Sequence, residues 1–362
     1  MKVLVIGGTG PTGPYIIDGL LKRGYNVSIL HRGTHEVTLP PEVEHIHSDP
    51  HFEEILKSAL GDRKFDLAIG LYGRLRFVAN ALKGRVPRLI TVGAGGLYLG
   101  WRPPEIPPED LVIPTPEDAP LQTNPEANLF TYRMTEAENE VMTAHRQGHY
   151  SVTHFRYPMI YGPRQLAPYE WCILRRILDK RKRLIILDGG LAMRSQGYAE
   201  NMAHGMMLAV DKPKESAGQI YNIRDERLFT FRGWVSLICK IMDYKFEFIE
   251  MPYSFARPVR IYHWGHKHLI SDITKVKAQL GYCDIVPTEK GLELTLKWLM
   301  ENRPTSGGEV EQQIRDTFDY TLEDKIIDEF MVAWQRIRKL QPLQLGFQHP
   351  YAHPDKPETP PN

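Results

Sequence analysis

Three glycines near the start of the chain, Gly7, Gly10 and Gly13, have the spacing of a turn that holds phosphate groups. Gly7 lets the chain leave a strand sharply, Gly10 lacks a Cβ and lets a pyrophosphate approach the backbone, and Gly13 allows close packing of the helix that follows. The free N–H groups at the start of that helix add a partial positive charge. The pattern predicts a dinucleotide-binding turn rather than a plain tight turn. Its contact residues are Gly7, Thr9, Gly10, Pro11, Thr12 and Gly13.

A second residue suited to phosphate is Arg32, which follows the apolar residues 26–30. In a dinucleotide-binding fold this strand end meets the adenosine ribose, where a carboxylate favours NAD and a basic residue accommodates the 2′-phosphate of NADP. Residues 31–34 contain no carboxylate, and an arginine suits bidentate phosphate contacts. We therefore expect NADP in preference to NAD, and a solvated loop arginine is the alternative.

The elements that must position these residues are short apolar runs separated by segments of helix length. This alternation is typical of a parallel, doubly wound sheet. We predict an α/β, Rossmann-type fold with a smaller C-terminal substrate-binding lobe. Strands are predicted at residues 3–6, 26–30, 43–47, 64–70, 88–92 and 150–156. Domains are predicted at residues 1–165 for the Rossmann core, 166–303 for the substrate-binding lobe and 304–362 for a helical extension with a proline-rich tail.

The composition narrows the class of protein. The 362 residues include 45 basic and 44 acidic side chains, a net charge of +1. This balance gives no electrostatic reason to expect nucleic acid or a membrane surface as a partner. The three cysteines are far apart in sequence and favour neither a disulfide framework nor a metal site, and we expect neither a leader nor a membrane span. From these features we expect a cytoplasmic, metal-free protein.

Two motifs together resemble a known family. The Gly-x-x-Gly-x-x-Gly spacing at residues 7–13 and the Arg-x-x-x-x-Tyr-Gly-Pro run at residues 156–163 resemble the short-chain dehydrogenase/reductase superfamily, in particular its extended, epimerase/dehydratase-like branch. The resemblance covers residues 1–303 in order. It implies hydride exchange with a bound nicotinamide cofactor, and a homodimer.

The resemblance implies further cofactor contacts. An Asp after the third strand contacts the adenine edge in this family, so Asp49 is the candidate, with a helix cap as the alternative. The ends of the fourth and fifth strands would line the diphosphate and ribose, and the backbone after the sixth strand would hold the nicotinamide amide. These contacts are assigned to Gly70, Leu71, Tyr72, Val92, Tyr132, Tyr157, Pro158 and Met159.

The catalytic residues expected from the family are only partly present. The family has a Ser or Thr four residues before the tyrosine that Tyr98 matches, and Ala94 occupies that position. Its Tyr-x-x-x-Lys motif, followed four residues later by Glu, is matched by Tyr132 and Glu140, but Glu136 replaces the lysine. A lysine there would stabilise a phenolate, whereas a carboxylate on the same helix face disfavours it. We expect Tyr132 to act as a neutral proton donor and Glu136 as a ribose ligand or second acid/base group; a structural tyrosine is the alternative.

The substrate wall is predicted where the fifth strand meets a proline-rich loop, residues 101–125. This loop has too many prolines for a helix or a central strand, and a long loop beside a site is usually functional, although it could simply pack on the core. The family's sugar-nucleotide epimerases carry an Asn where this chain has Pro158 and Met159, which favours a more apolar substrate. The candidate substrate residues are Ala94, Gly95, Tyr98, Trp101 and Tyr161.

The C-terminal half holds fewer signals. A basic cluster predicts a solvated face, with phosphate binding as the alternative; it comprises Arg175, Arg176, Arg181, Lys182 and Arg183. Residues 322–340 predict a helix whose apolar stripe must be buried against its own core or another subunit. His349 and His353 lie in a proline-rich segment without a Cys or carboxylate ligand pattern, so no metal site is expected.

Three functional hypotheses follow from these residues. The first is an NADP-dependent (or NAD-dependent) oxidoreductase acting on a small, rather apolar or aromatic carbonyl compound or alcohol. The second is a cofactor-assisted isomerase, epimerase, lyase or dehydratase without net redox change. The third is a non-catalytic NADP-binding or RNA-associated protein, although the near-zero net charge argues against RNA.

Overall fold

The structure is a computed structural model that describes residues 1–34, 37–102, 110–256, 258–259, 267–340, 346 and 350–351. The chain divides into two compact units, Met1–Phe318 and Asp319–Asn362. The domain limits predicted at residues 165 and 303 stay a prediction. Residues 103–109 of the proline-rich loop, and both His349 and His353, lie outside the described residues.

The central sheet confirms the predicted α/β fold. In chain order the strands are β1 (Lys2–Ile6), β2 (Asn26–His31), β3 (Glu44–His47), β4 (Leu67–Gly70), β5 (Arg88–Ala94), β6 (Ser151–Tyr157), β7 (Met159–Tyr161), β8 (Arg183–Leu187), β9 (Gln196–Tyr198), β10 (Gln219–Asn222) and β11 (Glu247–Met251). Seven of them form one parallel sheet in the order β3-β2-β1-β4-β5-β6-β10. The order reverses between β1 and β4, and ligands of such sheets bind outside the carboxyl ends of the strands at that point.

The sheet is covered by helices on both faces. Val3 and Val5 of β1 enter one apolar core, and Leu4 and Ile6 enter the other, because successive side chains of a strand point to opposite faces. All four are fully buried, which explains their continuous apolar run. The helices are α1 (Gly13–Lys22), α2 (Glu53–Leu60), α3 (Leu75–Ala81), α4 (Leu129–Arg146), α5 (Glu170–Leu178), α6 (Ala199–Asp211), α7 (Phe231–Ile241), α8 (Thr274–Leu280), α9 (Thr288–Glu301), α10 (Glu309–Ile314) and α11 (Tyr320–Ile337).

Several local sequence signals set these boundaries. α4 begins at Leu129, because the Asn128 side chain caps it by accepting a hydrogen bond from Thr131 N at 3.0 Å. α11, in the second unit, begins after Asp319, which caps it through Leu322 N. None of the helices in the described ranges is long and apolar enough to cross a membrane.

The basic cluster at residues 175–183 is not wholly a solvated face: the prediction is wrong for its first two residues, Arg175 and Arg176, which lie on α5 and pair with carboxylates. Arg176 is fully buried, and its guanidinium donates two hydrogen bonds to the Asp316 carboxylate at 2.6 and 3.0 Å. Arg175 forms a salt bridge with Glu311, which also accepts a hydrogen bond from Trp171 Nε1. Residues 304–318, which lie beyond the region of family resemblance, are therefore clamped to α5 by buried ion pairs.

Two small parallel sheets were not predicted. β7 pairs with β9, and β8 pairs with β11. Their strands have three to five residues and their partners lie 30 or more residues away in sequence, so no local pattern reveals them. The first of these sheets follows β6 directly and carries the chain from the central sheet into its C-terminal half.

Candidate functional site

A cavity of about 290 Å³ opens at the carboxyl ends of the central strands, at the place where the strand order reverses. Its walls come from the glycine turn after β1 and from the ends of β2, β4, β5 and β6. The predicted cofactor residues that line it are Gly7, Thr9, Gly10, Pro11, Thr12, Gly13, Arg32, Leu71, Tyr72, Val92 and Tyr157. Its other lining residues are Gly8, His31, Gly33, Thr34, Ile160, Gln165 and Leu166.

The geometry of the turn gives each glycine a physical reason. Gly7 has a φ of +101°, a backbone conformation that side chains disfavour. A Cβ at Gly13 would lie 2.1 Å from the carbonyl oxygen of Gly8, so the helix packs on the turn itself rather than only on the sheet. A Cβ at Gly10 would meet no protein atom within 4 Å, because Gly10 faces the cavity. This open cradle suits a pyrophosphate.

The start of α1 offers backbone donors to the same cavity. Thr12 is the N-cap but its side chain makes no capping hydrogen bond, and a proline occupies the first turn, where no intrahelical N–H bond is lost. The N–H of Gly13 donates to Gly10 O at 3.2 Å and Pro14 has no N–H, so the N–H groups of Thr12 and Tyr15 are those left for a ligand, with the positive end of the helix dipole behind them. The residues present fit the diphosphate of a dinucleotide.

Arg32 and Tyr72 form the opposite end of the cavity. Arg32 is exposed, and its guanidinium carbon lies 5.5 Å from the centre of the Tyr72 ring. The ring of His51 meets Tyr72 edge-on at 4.9 Å. This end of the cavity offers a guanidinium and an aromatic face, which suit a phosphate and a base.

Asp49 lies beside this end but does not line the cavity. Its Oδ1 accepts hydrogen bonds from the backbone N of His51 at 3.0 Å and pairs with the His51 ring at 2.7 Å. Burial acts to raise the pKa of Asp49, but these contacts and the charge of Arg32 lower it overall. The N-cap of α2 is Phe52, so Asp49 is not the helix cap offered as the alternative; its contact with adenine stays a prediction.

His31, which the sequence analysis did not single out, holds the loop that carries Arg32. It is buried in the cavity wall, and its Nδ1 accepts a hydrogen bond from Gly33 N at 3.2 Å. Its Nε2 lies 3.0 Å from Nδ1 of His45 on the neighbouring strand. The available signal was its period-two spacing from the buried Val27 and Ile29 of β2, which places it on the same sheet face.

The predicted catalytic residues lie on α4, outside the cavity lining. Tyr132 is half-buried in the first turn of the helix and Glu136 is exposed one turn later. Ala94 is half-buried at the last position of β5. Thr91, further back on β5, is fully buried and lies 2.7 Å from His154 Nδ1, so its hydroxyl belongs to the core. Gly70, Pro158 and Met159 also do not line the cavity.

The glutamate of α4 that reaches the sheet is Glu138, two residues before Glu140, the residue that matches the family motif. Glu138 is buried, and its carboxylate accepts two hydrogen bonds from Arg156 of β6, at 2.6 and 2.9 Å. His154 Nε2 lies 3.2 Å from Glu138 Oε2. Glu140 instead lies 3.7 Å from Lys83 at the surface. The sequence analysis missed the Glu138–Arg156 pair, because both Glu138 and Glu140 fit the helical pattern and only packing decides which one faces the sheet.

The position of Glu138 on the face of α4 that meets the sheet affects which residues of this helix are assigned to catalysis. If Glu138 is the counterpart of the family's glutamate, the tyrosine and lysine positions, eight and four residues earlier, fall on Phe130 and Met134. Neither side chain can transfer a proton. Tyr132 is then the ionisable residue that the first turn of α4 offers.

The predicted substrate residues are mostly buried. Tyr98 is fully buried; its hydroxyl donates to Asn222 Oδ1 at 2.7 Å and accepts from Arg156 Nη1 at 2.8 Å. Tyr161 donates to the buried Asp225 at 2.7 Å. Both hydroxyls are thus committed to core contacts.

The remaining predicted substrate residues do not reach the cavity either. Trp101 is 8% exposed and packs against Tyr98, with ring centres 5.0 Å apart. Gly95 is buried beside the backbone of Tyr157. The structure places none of the five substrate residues, Ala94, Gly95, Tyr98, Trp101 and Tyr161, in the cavity lining.

Comparison with known proteins agrees with the family resemblance of the sequence motifs. A family model described as the NAD dependent epimerase/dehydratase family matches residues 3–223. A 4-hydroxy-2-methyl-3-oxo-4-farnesyl-3,4-dihydroquinoline-1-oxide ketoreductase from Stigmatella aurantiaca is 23% identical, over 81% of this chain and 95% of its own length. The chloroplast stem-loop binding protein of 41 kDa b from Arabidopsis thaliana is 23% identical, over 78% of this chain and 74% of its own.

Other matches are partial or concern the fold alone. An uncharacterized protein of Sinorhizobium fredii, y4nL, is 25% identical over 41% of this chain, a match that spans 47% of that protein. Among solved structures, a UDP-glucose 4-epimerase from Thermotoga maritima with UDP-glucose superposes with a TM-score of 0.67 and 20% identity, over 84% of this chain and all of its own. This likeness extends the shared fold well beyond the glycine turn.

Proposed function

The chain belongs to the NAD-dependent epimerase/dehydratase family, a family of NAD-dependent enzymes, and on that premise we propose that it is an NADP-dependent oxidoreductase acting on a small, rather apolar or aromatic carbonyl compound or alcohol. The observation that carries the proposal is the cavity itself. The glycine turn forms one wall, and Arg32 lies at the adenosine end with no carboxylate among its lining residues. Solved relatives with bound NAD support the nicotinamide cofactor; the preference for NADP rests on Arg32.

Different residues of the cavity are proposed to bind different parts of the cofactor. The N–H groups at the start of α1 hold the diphosphate, and Arg32 binds the 2′-phosphate. Leu71 and Val92 supply apolar walls that exclude water from the cofactor. When bound, the nicotinamide supplies the hydride for the carbonyl carbon, or accepts it from the alcohol.

Tyr132 is the proposed proton donor. As a neutral phenol it gives its proton to the carbonyl oxygen and is reprotonated from solvent, which its half-buried position allows. Glu136 is the proposed ribose ligand or second acid/base group. Because Ala94 has no hydroxyl to polarise the carbonyl, we expect slower chemistry than with a complete set of catalytic side chains.

The cofactor preference gives a direct test. Replacing Arg32 by glutamine is expected to weaken NADPH binding by about tenfold or more and to leave NADH binding within about twofold, because only NADPH carries the 2′-phosphate. The measurement is a titration of cofactor-free protein followed by tryptophan fluorescence. Arg63→Gln is the matched control, since Arg63 is exposed and pairs with Glu44 outside the cavity. Equal loss of both cofactors, or no loss, would contradict the assignment.

A second candidate function is a non-catalytic role, and a specific observation favours it. Ala94 replaces the catalytic hydroxyl, and Phe130 and Met134 would take the catalytic positions if Glu138, which pairs with Arg156, is the counterpart of the family's glutamate. The similarity to a chloroplast stem-loop binding protein points the same way. An isomerase or dehydratase without net redox change remains the third reading.

Tyr132→Phe separates these functions. For the oxidoreductase, a panel of aromatic and aliphatic carbonyls should oxidise NADPH, and the variant should lower kcat at least tenfold with NADPH affinity unchanged. Substrate conversion without net NADPH oxidation would identify the isomerase or dehydratase. Tight NADPH binding with no conversion in either protein would support the non-catalytic role. Thr143→Val, about three turns further along α4, is the control for helix integrity.

A further inference from the structure

One buried histidine in the wall of the cofactor cavity has both ring nitrogens in contact with protein partners. His31, the last residue of β2, is 3% exposed and lines the cavity. Its Nδ1 accepts a hydrogen bond from Gly33 N at 3.2 Å, and its Nε2 lies 3.0 Å from Nδ1 of His45 on β3. A ring nitrogen that accepts carries no proton, so the neutral ring has its proton on Nε2 and donates it to His45. The orientation of the His31 ring is therefore fixed from both sides.

The hydrogen bond from Gly33 to His31 closes a tight turn around Arg32. A side chain that accepts from the backbone N–H two residues later stabilises a turn in the way that Asn and Asp side chains do. Gly33 completes the turn with a φ of +75°, a backbone conformation that side chains disfavour. Because Arg32 lies between the two bonded residues, the turn sets the direction in which its side chain leaves the backbone.

The turn directs the Arg32 side chain to the adenosine end of the cavity. Arg32, Gly33 and Thr34 all line the cavity, and the Arg32 guanidinium carbon lies 5.5 Å from the centre of the Tyr72 ring in the same wall. Arg32 is exposed, and no carboxylate among the cavity-lining residues holds its guanidinium. An exposed arginine loses conformational freedom when it binds a ligand, and a backbone that is already fixed reduces that loss. The affinity that Arg32 gives to a phosphate therefore depends on the turn.

We propose that His31 is a positioning residue that sets the preference for NADPH over NADH, by holding the turn that carries Arg32. This inference rests on the proposed function and deepens it, because it assigns the cofactor preference to the shape of the turn as well as to the arginine. NADPH and NADH differ only in the 2′-phosphate, so loss of the turn weakens the binding of NADPH alone. The His31 ring does not touch the phosphate; it acts through Gly33 and Arg32.

The test compares His31→Leu, which has no acceptor for Gly33 N, with His31→Asn, whose side-chain oxygen can accept the same N–H. The Kd values of NADPH and NADH are measured by tryptophan-fluorescence titration of the cofactor-free full chain. His31→Leu is expected to raise the NADPH Kd about fivefold or more and to leave the NADH Kd within about twofold, whereas His31→Asn keeps both within about twofold. In the double variant with Arg32→Gln, the leucine should add no further loss of NADPH affinity, because both substitutions remove the same phosphate contact.

Ser28→Ala is the matched control. It removes another side-chain hydrogen bond between β2 and β3, from Ser28 Oγ to Glu44 Oε2 at 2.7 Å, and Ser28 does not line the cavity. It should leave both Kd values unchanged. The positioning role is overturned if His31→Leu weakens both cofactors equally or leaves the NADPH Kd unchanged, if His31→Asn loses as much as His31→Leu, or if the losses add in the double variant. His31→Ala supplies the same comparison if the leucine variant does not fold.

Failure of the proposed function gives a different result. If the wild-type chain does not bind NADPH, or if Arg32→Gln weakens NADH as much as NADPH, the cofactor assignment is wrong. Hydrogen exchange of the Gly33 amide then still tests the turn without a cofactor: exchange should be slower in the wild-type chain and in His31→Asn than in His31→Leu. Equal exchange rates in all three proteins would show that His31 does not hold the turn.

Discussion

Replacing Glu138 by glutamine is expected to lower the free energy of unfolding by about 3 to 5 kcal/mol, because it leaves Arg156 buried without its counter-ion. Arg156 is 2% exposed and Glu138 3% exposed, and the two share a bidentate contact between α4 and β6. Arg156 also donates to Tyr98 and to the backbone of Glu117. Its displacement would therefore disturb the proline-rich loop as well.

The same helix offers a matched control. Glu140→Gln removes a carboxylate that lies 3.7 Å from a partly exposed Lys83, and it should cost less than about 1 kcal/mol. The measurement is urea unfolding of both variants at neutral pH. Equal losses, or a larger loss for Glu140→Gln, would show that the register of α4 on the sheet is not the one described.

The loss of stability at low pH gives an independent check of the Glu138–Arg156 pair. Burial acts to raise the pKa of Glu138, but its contacts with Arg156 and His154 lower it to about 2, from 4.5. A carboxyl whose pKa is lowered on folding contributes stability that is complete above its unfolded pKa and lost as the pH falls through the folded value. At about 1.4 kcal/mol per pKa unit, this amounts to roughly 3 kcal/mol. The difference in free energy of unfolding between the wild-type chain and Glu138→Gln at pH 3 should therefore be less than about half of the difference at pH 7.

The sequence predicts most where the chemistry is local. The turn with Gly7, Gly10 and Gly13 needs only a strand, a turn and a helix in succession, and the structure places all three glycines in one cavity wall. The central strands were predictable from apolar runs, because a sheet covered on both faces buries every side chain. Arg32 could be found because it directly follows such a strand.

The sequence predicts least where a side chain's partner is distant. Tyr98 and Tyr161 looked like site residues, yet their hydroxyls bind Asn222 and Asp225, which are 124 and 64 positions away. Helical spacing alone cannot tell which glutamate of α4 faces the sheet, since both belong to one amphipathic helix and tertiary contacts set its rotation.

The clamp on α5 shows the same limit. From sequence, Arg176 is predicted to be part of a solvated basic face. In the structure it is buried against Asp316, which lies 140 residues later. The basic residues between positions 175 and 183 give no sign that one of them is fully buried. The attachment of residues 304–318 to α5 depends on that distant pairing.

Replacing Gly13 by alanine is expected to reduce NADPH affinity at least a hundredfold and to cost about 1 to 3 kcal/mol of stability, through overpacking of a rigid turn. The new Cβ would lie 2.1 Å from Gly8 O, 2.3 Å from Gly8 C and 2.5 Å from Gly8 Cα. All three are backbone atoms, so no side chain can move aside. The turn must open, and the N–H groups at the start of α1 then no longer converge on the diphosphate.

Gly10→Ala isolates the cofactor's share of that effect. Gly10 has no protein atom within 4 Å of an added Cβ, and its φ lies outside the positive range. The free energy of unfolding of the Gly10→Ala variant, measured by urea unfolding, should therefore stay within about 0.5 kcal/mol of the wild-type value. Yet Gly10 lines the cavity, so the methyl group would occupy space that a pyrophosphate needs and weaken NADPH binding about tenfold. Unchanged affinity in Gly10→Ala would mean that no diphosphate lies over this turn, whatever Gly13→Ala does to the fold. Lost affinity with an unchanged urea midpoint would mean that the glycine is required by the ligand and not by the chain.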